Sequence, residues 1–560
     1  MLSTVLSHSE YPELEGLILQ RGGEQILLQK RDDRLTVRFT PDTQDTSRVL
    51  RQVGAEMARS IPAASLLELR VGARRLEQAM RILRRSPEVE FVSRVYHMPR
   101  EPETPIFLSN QITVQFQPEI TAYQIESIAA AMGLQVVKLV AGIPKAFVFQ
   151  LTKRSPVNPL KITNRLLQTA DILLAEPNII LPLQDVPPWT PASIDLPEKI
   201  TPGSQSTIIA LVSGSINLSH AAFQGISKIV APWAAEPAHE EQGSSATSAG
   251  FEETRLSEAV LSEIDRVAPD CAFMPLQTGH FLDDQLVEQV LEWAMRHGAA
   301  VIAWECEAAT NYYPLSLRQR VAVQQAAIQG RNGKGCVIVV AGAAIATSDR
   351  LNGFAVHPDV LVVPGGLSPS VSGVVALMLS ANSDLSAQQV RQIWQADSIA
   401  ASKPLLDSAS NDRPVSVMKA IHLAQQQARP APIATRWLEA ENLEPVQIPD
   451  NDPQGITSRI QIETASPILD VVVTVHLEHE FIGDLELFLI SPQGDSILLQ
   501  SRNLGRLNLL RTDYSLETVP YLKSLLYRSA QGVWQLQIID RAPAHMGELK
   551  GWRLRIGLAD

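Results

Sequence analysis

Residues 208–225, IIALVSGSINLSHAAFQG, open on an apolar run that ends in a Ser-Gly-Ser turn. A run of that kind bounded by turn residues reads as a core strand followed by its turn. From 206 to 425 short β-branched runs alternate with helical stretches, which predicts a parallel sheet covered on both faces. Within it, VEQVLEWAMRHG at 287–298 reads as an amphipathic helix feeding the buried strand AAVIAW at 299–304.

Upstream, the chain repeats itself. RLTVRFTP at 34–41 recurs as QITVQFQP at 111–118, and RILRRSPEVEFVSRVYHM at 81–98 recurs as RLLQTADILLAEPNIIL at 165–181. AASLLELRV at 63–71 matches AFVFQLT at 146–152, and a surface insertion such as KRSPVNP at 153–159 accounts for the longer second copy. Leu35, Val37 and Phe39 alternate as in a half-buried strand. Each copy therefore reads as a split βαβ, ferredoxin-like unit, at 17–98 and 105–183. A Pro-rich linker, 183–205, separates them from the sheet domain.

Downstream of a second linker, 426–445, residues 446–560 are strand-rich. Turn clusters PDNDPQG at 449–455 and SPQGD at 491–495 separate alternating runs, as in a β-sandwich. LDVVVTVHL at 469–477 and DLELFLI at 484–490 read as facing strands.

At 560 residues the chain exceeds one core, and roughly one domain per 150 residues suggests about four. Its 45% hydrophobic and 19% charged content is that of a globular protein. A net charge of −12 argues against nucleic acid as a partner, since phosphate binding needs a basic footprint. Three cysteines, Cys271, Cys306 and Cys336, are too few for a disulfide framework. No run reaches the ~18–20 apolar residues of a membrane span. The start shows no basic stretch followed by an apolar run, so no signal peptide and a cytoplasmic location are expected.

Several of these segments resemble the subtilisin/kexin-like serine protease family, in the family's order. Residues 208–225 are similar to its first core strand and turn, and VAPDCAFMPL at 267–276 to an edge strand. GRNGKGCVIVVAG at 330–342 and NGFAVHPDVLVVPG at 352–365 resemble two later strands, and PSVSGVVALML at 369–379 the helix that follows the nucleophile. GLQVVKLVAGIPKAFVFQLT at 133–152, with AEPNIIL, resembles the family's propeptide. GVWQLQIIDRAPAHMGELKGWRLRI at 532–556 resembles the P (Homo B) domain of proprotein convertases, with Trp534, Asp540, Gly547, Leu549, Trp552 and, upstream, Asp484 and Leu485 at the pattern positions. The resemblance implies a multi-domain α/β plus β protein: two ferredoxin-like domains, a shortened subtilisin-like domain and a jelly-roll-like P domain.

It also implies serine endopeptidase activity, yet the residues that should carry it differ. Ser213 stands at the aspartate position, and a neutral hydroxyl cannot stabilise an imidazolium. The histidine should fall in QGSSATSAG at 242–250, where Ser244 or Gln242 takes its place. Ala343 replaces the oxyanion asparagine, a loss that costs ~10²–10³-fold in rate. Counting back from Pro369 puts Gly365 at the nucleophile, with Ser368 the nearest hydroxyl. His220 matches a non-catalytic histidine, His239 reads as a solvated loop residue, and Asp265 and Asp270 as surface or capping carboxylates. Glu305, at the end of a core strand, is placed to project into the former groove and contact a basic partner. Trp534 and Trp552 read as core anchors and Asp540 as a turn-fixing residue. No cofactor or metal is expected. Calcium enters only through the resemblance, since no loop-ligand spacing is evident.

The expected function is that of an inactive homologue that binds or scaffolds another protein. A serine endopeptidase using non-standard residues is the alternative, and a rigid spacer of four domains a third reading.

Overall fold

The computed structural model describes residues 16–155, 157–184, 203–225, 227–235, 248–310, 312–342, 351–364, 367–400, 417–426, 436–502, 504, 507–516 and 518–558. It is a mixed α/β and β protein with several sheets.

A two-stranded hairpin, β1 (Ile18–Arg21) and β2 (Glu24–Leu27), comes first. The first repeat then runs β3 (Gln29–Phe39), α1 (Thr46–Val53), β4 (Glu56–Ile61), β5 (Leu66–Arg70), α2 (Leu76–Arg85) and β6 (Val89–Met98). The second runs β7 (Glu101–Phe116), α3 (Ala122–Ala131), β8 (Leu134–Leu139), β9 (Ala146–Leu151), α4 (Pro159–Leu166) and β10 (Ile172–Gln184). Their strand orders correspond, β6-β3-β5-β4 and β10-β7-β9-β8, and pairing of Tyr96 with Ile106 across β6 and β7 fuses them into one sheet. The sequence pattern does not announce β4 and β8. β4 is an edge strand with only Ile61 buried, so no alternation marks it.

The central domain contains β11 (Ile208–Ser213), β12 (Trp233–Ala234), α5 (Ser248–Val267), β13 (Ala272–Gln277), β14 (Phe281–Asp283), α6 (Asp284–Arg296), β15 (Ala299–Trp304), β16 (Glu307–Ala308), β17 (Tyr312–Tyr313), α7 (Leu317–Gly333), β18 (Val337–Gly342), β19 (Leu351–Asn352), β20 (Val360–Pro364), α8 (Ser368–Ala381), α9 (Ala387–Ala400) and α10 (Val417–Gln426). Six strands pair in parallel, in the order β12-β13-β11-β15-β18-β20. Ile209 and Leu211 pack under the layer holding α5, α8 and α9, while Ala210 and Val212 face the layer of α6 and α7. That period of two explains why every residue of 209–212 is apolar: both faces of the strand are buried. β13 is not the edge its sequence suggests, because β12 pairs outside it. β14 and β16 leave this sheet and pair with β10, which ties the repeats to the central domain.

The last domain has β21 (Arg436–Asn442), β22 (Val446–Ile448), β23 (Ile456–Ile462), β24 (Ile468–His479), β25 (Leu485–Ile490), β26 (Ser496–Gln500), β27 (Leu509–Ser515), β28 (Gly532–Asp540) and β29 (Gly547–Leu558). They form antiparallel sheets of five and four strands with a shared apolar interior. β24 and β25 fall in opposite sheets. β21 lies in the stretch read as linker; it pairs with β29 along its length but is mostly exposed, so its sequence carries no core signal. Trp534 and Trp552 are buried, their indole N–H groups donating to the Ala530 carbonyl and Ser458 Oγ at 2.9 Å each. Asp540 fixes a turn by accepting the Ala542 N–H at 3.0 Å.

Candidate functional site

In an open parallel sheet, ligands and catalytic groups gather where the strands end. Here that edge is formed by the ends of β11 and β15 and the start of α8. Ser213 closes β11 and is 8% exposed. Its hydroxyl donates to the Ser215 carbonyl at 3.4 Å, and its own carbonyl accepts the Thr278 N–H at 2.9 Å. The side chain therefore holds its own turn together. Ser244, Ala343 and Gly365, with Gln242 and His239, lie outside the described residues.

Glu305 continues β15, its N–H donating to the Val212 carbonyl at 2.9 Å. Its Oε1 accepts the Ser368 hydroxyl at 2.5 Å. Burial pushes this carboxyl up to about 7, against the pull of the Ser368 hydrogen bond and with a further push from Glu307. Near neutral pH it is about half protonated, which makes it a weaker anchor for a basic group than an exposed carboxylate.

A hydroxyl donating to a carboxyl tuned near 7 is the smallest arrangement that could serve as nucleophile and base. Access decides against its acting so in this conformation: Ser368 is 1% exposed, in the first turn of α8. The next serine of that turn repeats the pattern. Buried Ser370 donates to Glu263 Oε1 on α5, and Arg266 grips the same carboxylate at 2.8 and 2.7 Å. Burial works against this ion, but the hydrogen bonds from Arg266 and Ser370 outweigh it and hold Glu263 below its ordinary value. Both pairs read as latches that fix the start of α8. Sequence reasoning missed the Ser370–Glu263–Arg266 group; the i,i+3 spacing of Glu263 and Arg266 was its one local signal.

His220 is the histidine that β11 brings closest in sequence. Its Nδ1 accepts the Ala222 N–H at 3.2 Å, so the proton must sit on Nε2, which faces Ser262 Oγ at 3.0 Å. Ser262 in turn donates to the Glu258 carbonyl at 2.8 Å. In that tautomer the imidazole donates to the hydroxyl and cannot take its proton. Asp265 pairs with Lys228 at 3.1 Å. None of the three cysteines forms a disulfide, and all three are buried.

Among the described residues no group of three or more His, Cys, Asp or Glu side chains converges to hold a metal ion. The buried carboxylate Asp484 illustrates why, since it faces cationic or proton-donating partners, His545 at 2.9 Å and Arg502 at 3.8 Å. No helix among them is long and apolar enough to cross a membrane.

Comparison with known proteins places these observations. Residues 468–556 match the proprotein convertase P-domain family, and residues 31–94 the fervidolysin N-terminal prodomain family. The prodomain match falls on the first repeat, whereas the sequence resemblance was read from the second. A calcium-dependent protease of Trichormus variabilis is 23% identical over 600 residues, covering 86% of this chain and 88% of its own. A calcium-dependent protease of Nostoc sp. is likewise 23% identical, with the same coverage. Among solved structures, fervidolysin from Fervidobacterium pennivorans is 14% identical with a TM-score of 0.34, covering 73% of this chain and 85% of that one. Together the family matches and the full-length relatives support a subtilisin-like protease homologue carrying a P domain.

Proposed function

We propose that this homologue of subtilisin-like, P-domain proteases has given up triad chemistry and serves as a protein-binding or scaffolding component. The observation that carries the reading is Ser213 at the end of β11, where a carboxylate would have to orient a base, together with His220 held in a donating tautomer. The reading divides the chain into ferredoxin-like units at 17–98 and 105–183, a subtilisin-like domain at 206–425 and a P domain at 446–560. The corresponding strand orders of the two repeats support the first two units. It takes a protein as partner, needs no cofactor, and keeps the expected cytoplasmic location. The calcium-dependent proteases among the relatives bring calcium into consideration.

Serine endopeptidase activity with non-standard residues is the second reading, favoured by the Ser368–Glu305 hydrogen bond. It requires the start of α8 to open so that Ser368 meets substrate. A fluorophosphonate probe on the pure full-length protein, followed by intact-mass measurement, separates the two. The scaffold reading expects one unlabelled chain of 61.3 kDa. Labelling at Ser368 that Glu305→Gln abolishes would establish the endopeptidase instead. A tagged pull-down that yields a stable stoichiometric complex would distinguish binding from a bare spacer.

A further inference from the structure

The first repeat is the basic part of an acidic chain. Residues 29–98 carry fourteen Lys and Arg against nine Asp and Glu, a net charge of +5 where the whole chain has −12. Five of those arginines gather on α2 and the single 3-10 turn, Ala73–Arg75, that leads into it: Arg74, Arg75, Arg81, Arg84 and Arg85. All five are exposed, and none of their guanidinium groups has a hydrogen-bond or ion-pair partner among the described residues. The carboxylates that could answer them are committed or elsewhere. Glu77, the acid of α2, pairs with Arg94 on β6, and Glu88 with Arg48 on α1. Asp45 caps α1 by accepting the Arg48 N–H at 2.9 Å. Asp32, Asp33, Glu56, Glu68 and Glu90 lie on strands, and Asp42 on the loop before α1.

Like charges three and four residues apart on a helix repel, as Arg81, Arg84 and Arg85 do. The helix dipole favours Arg84 and Arg85 in the last turn but opposes Arg74 and Arg75, which stand at its positive end. The second repeat shows the corresponding helix covered. Counted from the first residue of each helix, Ala79 and Leu83 of α2 correspond to Ile162 and Leu166 of α4, all four buried, and Arg81 corresponds to Asn164. Asn164 is buried beneath β1: its Nδ2 donates to the Ile18 carbonyl at 2.8 Å, and its Oδ1 accepts from Gln20 at 2.7 Å. A position that carries an added strand in one repeat is thus bare in the other. The exposed residues of α2 itself are Glu77, Gln78, Arg81, Arg84 and Arg85. They offer no ring on which a nucleic-acid base could stack and no apolar side chain for a bilayer, since Leu76, Met80 and Leu83 are buried in the core. Every cation of this face is arginine, whose planar fork takes a carboxylate side-on.

We propose that the α2 face of the first repeat is a docking surface for an acidic, extended segment of a partner protein, laid across Arg81 as β1 is laid across Asn164. From Arg74 to Arg85 the helix rises about 16 Å, a span that about five extended residues cover. The class of partner rests on the protein-binding reading above; the surface itself does not. The test is fluorescence anisotropy of a labelled decaglutamate peptide titrated with the full-length protein at about 50 mM salt, where exposed charges still act over more than about 10 Å. One saturable site is expected. Arg74→Glu, Arg81→Glu and Arg85→Glu together should weaken it at least about tenfold, by turning three attractions into repulsions. Arg81→Gln alone removes the central charge and should weaken it in the same direction, which keeps the question decidable if the reversed triple folds poorly. Arg436→Glu, Arg459→Glu and Arg511→Glu together make the same charge change on exposed residues of the sandwich and should leave the affinity within about twofold. Failure of the peptide to saturate, or an equal loss in both triple variants, would overturn the assignment. Tighter binding of oligothymidylate or of phosphatidylserine vesicles at the same face would overturn it too. A protein that ignores the peptide yet yields a stoichiometric complex in the pull-down would leave the scaffold reading standing without this surface. One that is labelled by the fluorophosphonate and still binds the peptide would do the reverse.

Discussion

Glu305→Gln isolates one half-buried carboxyl and its pH dependence. The folded-state value of about 7 lies above the ordinary 4.5, so the protonated form is the one the fold favours. The stability this group supports is therefore complete below pH 4.5 and lost as pH rises toward 7. Each pH unit of that interval is worth about 1.4 kcal/mol, so the ionised group costs the folded state about 3 kcal/mol above pH 7. Glutamine keeps the shape and an oxygen for the Ser368 hydroxyl but cannot ionise. Because a multi-domain chain has no single unfolding free energy, the appropriate assay is hydrogen exchange of the α8 amides, followed by mass spectrometry. Comparing wild type with variant at the same pH cancels the intrinsic rate. At pH 8 the variant's α8 should exchange about a hundredfold more slowly, and at pH 5 the two should agree to within about fivefold. Equal rates at pH 8, or faster exchange in the variant, would refute the claim that Glu305 is held against ionisation.

Trp552→Ala removes the indole that fills the interior of the sandwich and strands Ser458 Oγ; a loss of about 3–5 kcal/mol is expected in the sandwich's thermal transition. Gly335→Ala should fail to accumulate as soluble protein, because its φ of +79° disfavours a side chain and a Cβ would sit 1.8 Å from the Ala327 carbonyl oxygen. Cys271, Cys306 and Cys336 should resist a thiol reagent in the native protein and all react in denaturant; burial holds the Cys336 thiol up at about 12, far from the reactive thiolate.

The parallel sheet was legible because residues 209–212 and 299–304 must be apolar on both faces, and no other element demands that of so short a run. The internal repeat was legible for a related reason: each unit keeps its own buried strands. What escaped were elements whose residues bury nothing. β4 and β21 are exposed edge strands held by backbone pairing, which leaves little trace in side-chain identity. At the site, the sequence located Ser213 and Glu305 but not what Glu305 meets. Its partner, Ser368, lies 63 residues away, and the bond exists because α8 starts beside the end of β15.

The two serines at the start of α8 bear directly on how an inactive site would be maintained. A nucleophile at a helix start must be held at the surface with its hydroxyl free to attack. Here Ser368 and Ser370 both turn inward, each onto a carboxyl from a different element, half-buried Glu305 from the sheet and buried Glu263 from α5. The Ser368 bond satisfies Glu305, whereas Ser370 shares Glu263 with Arg266, so it is the loss of Ser368 that would leave a carboxyl the less compensated. A substitution that freed Ser368 to act as a nucleophile would first have to break such a latch. The same contacts that stabilise the strand–helix junction thus hold the Ser368 hydroxyl away from a substrate.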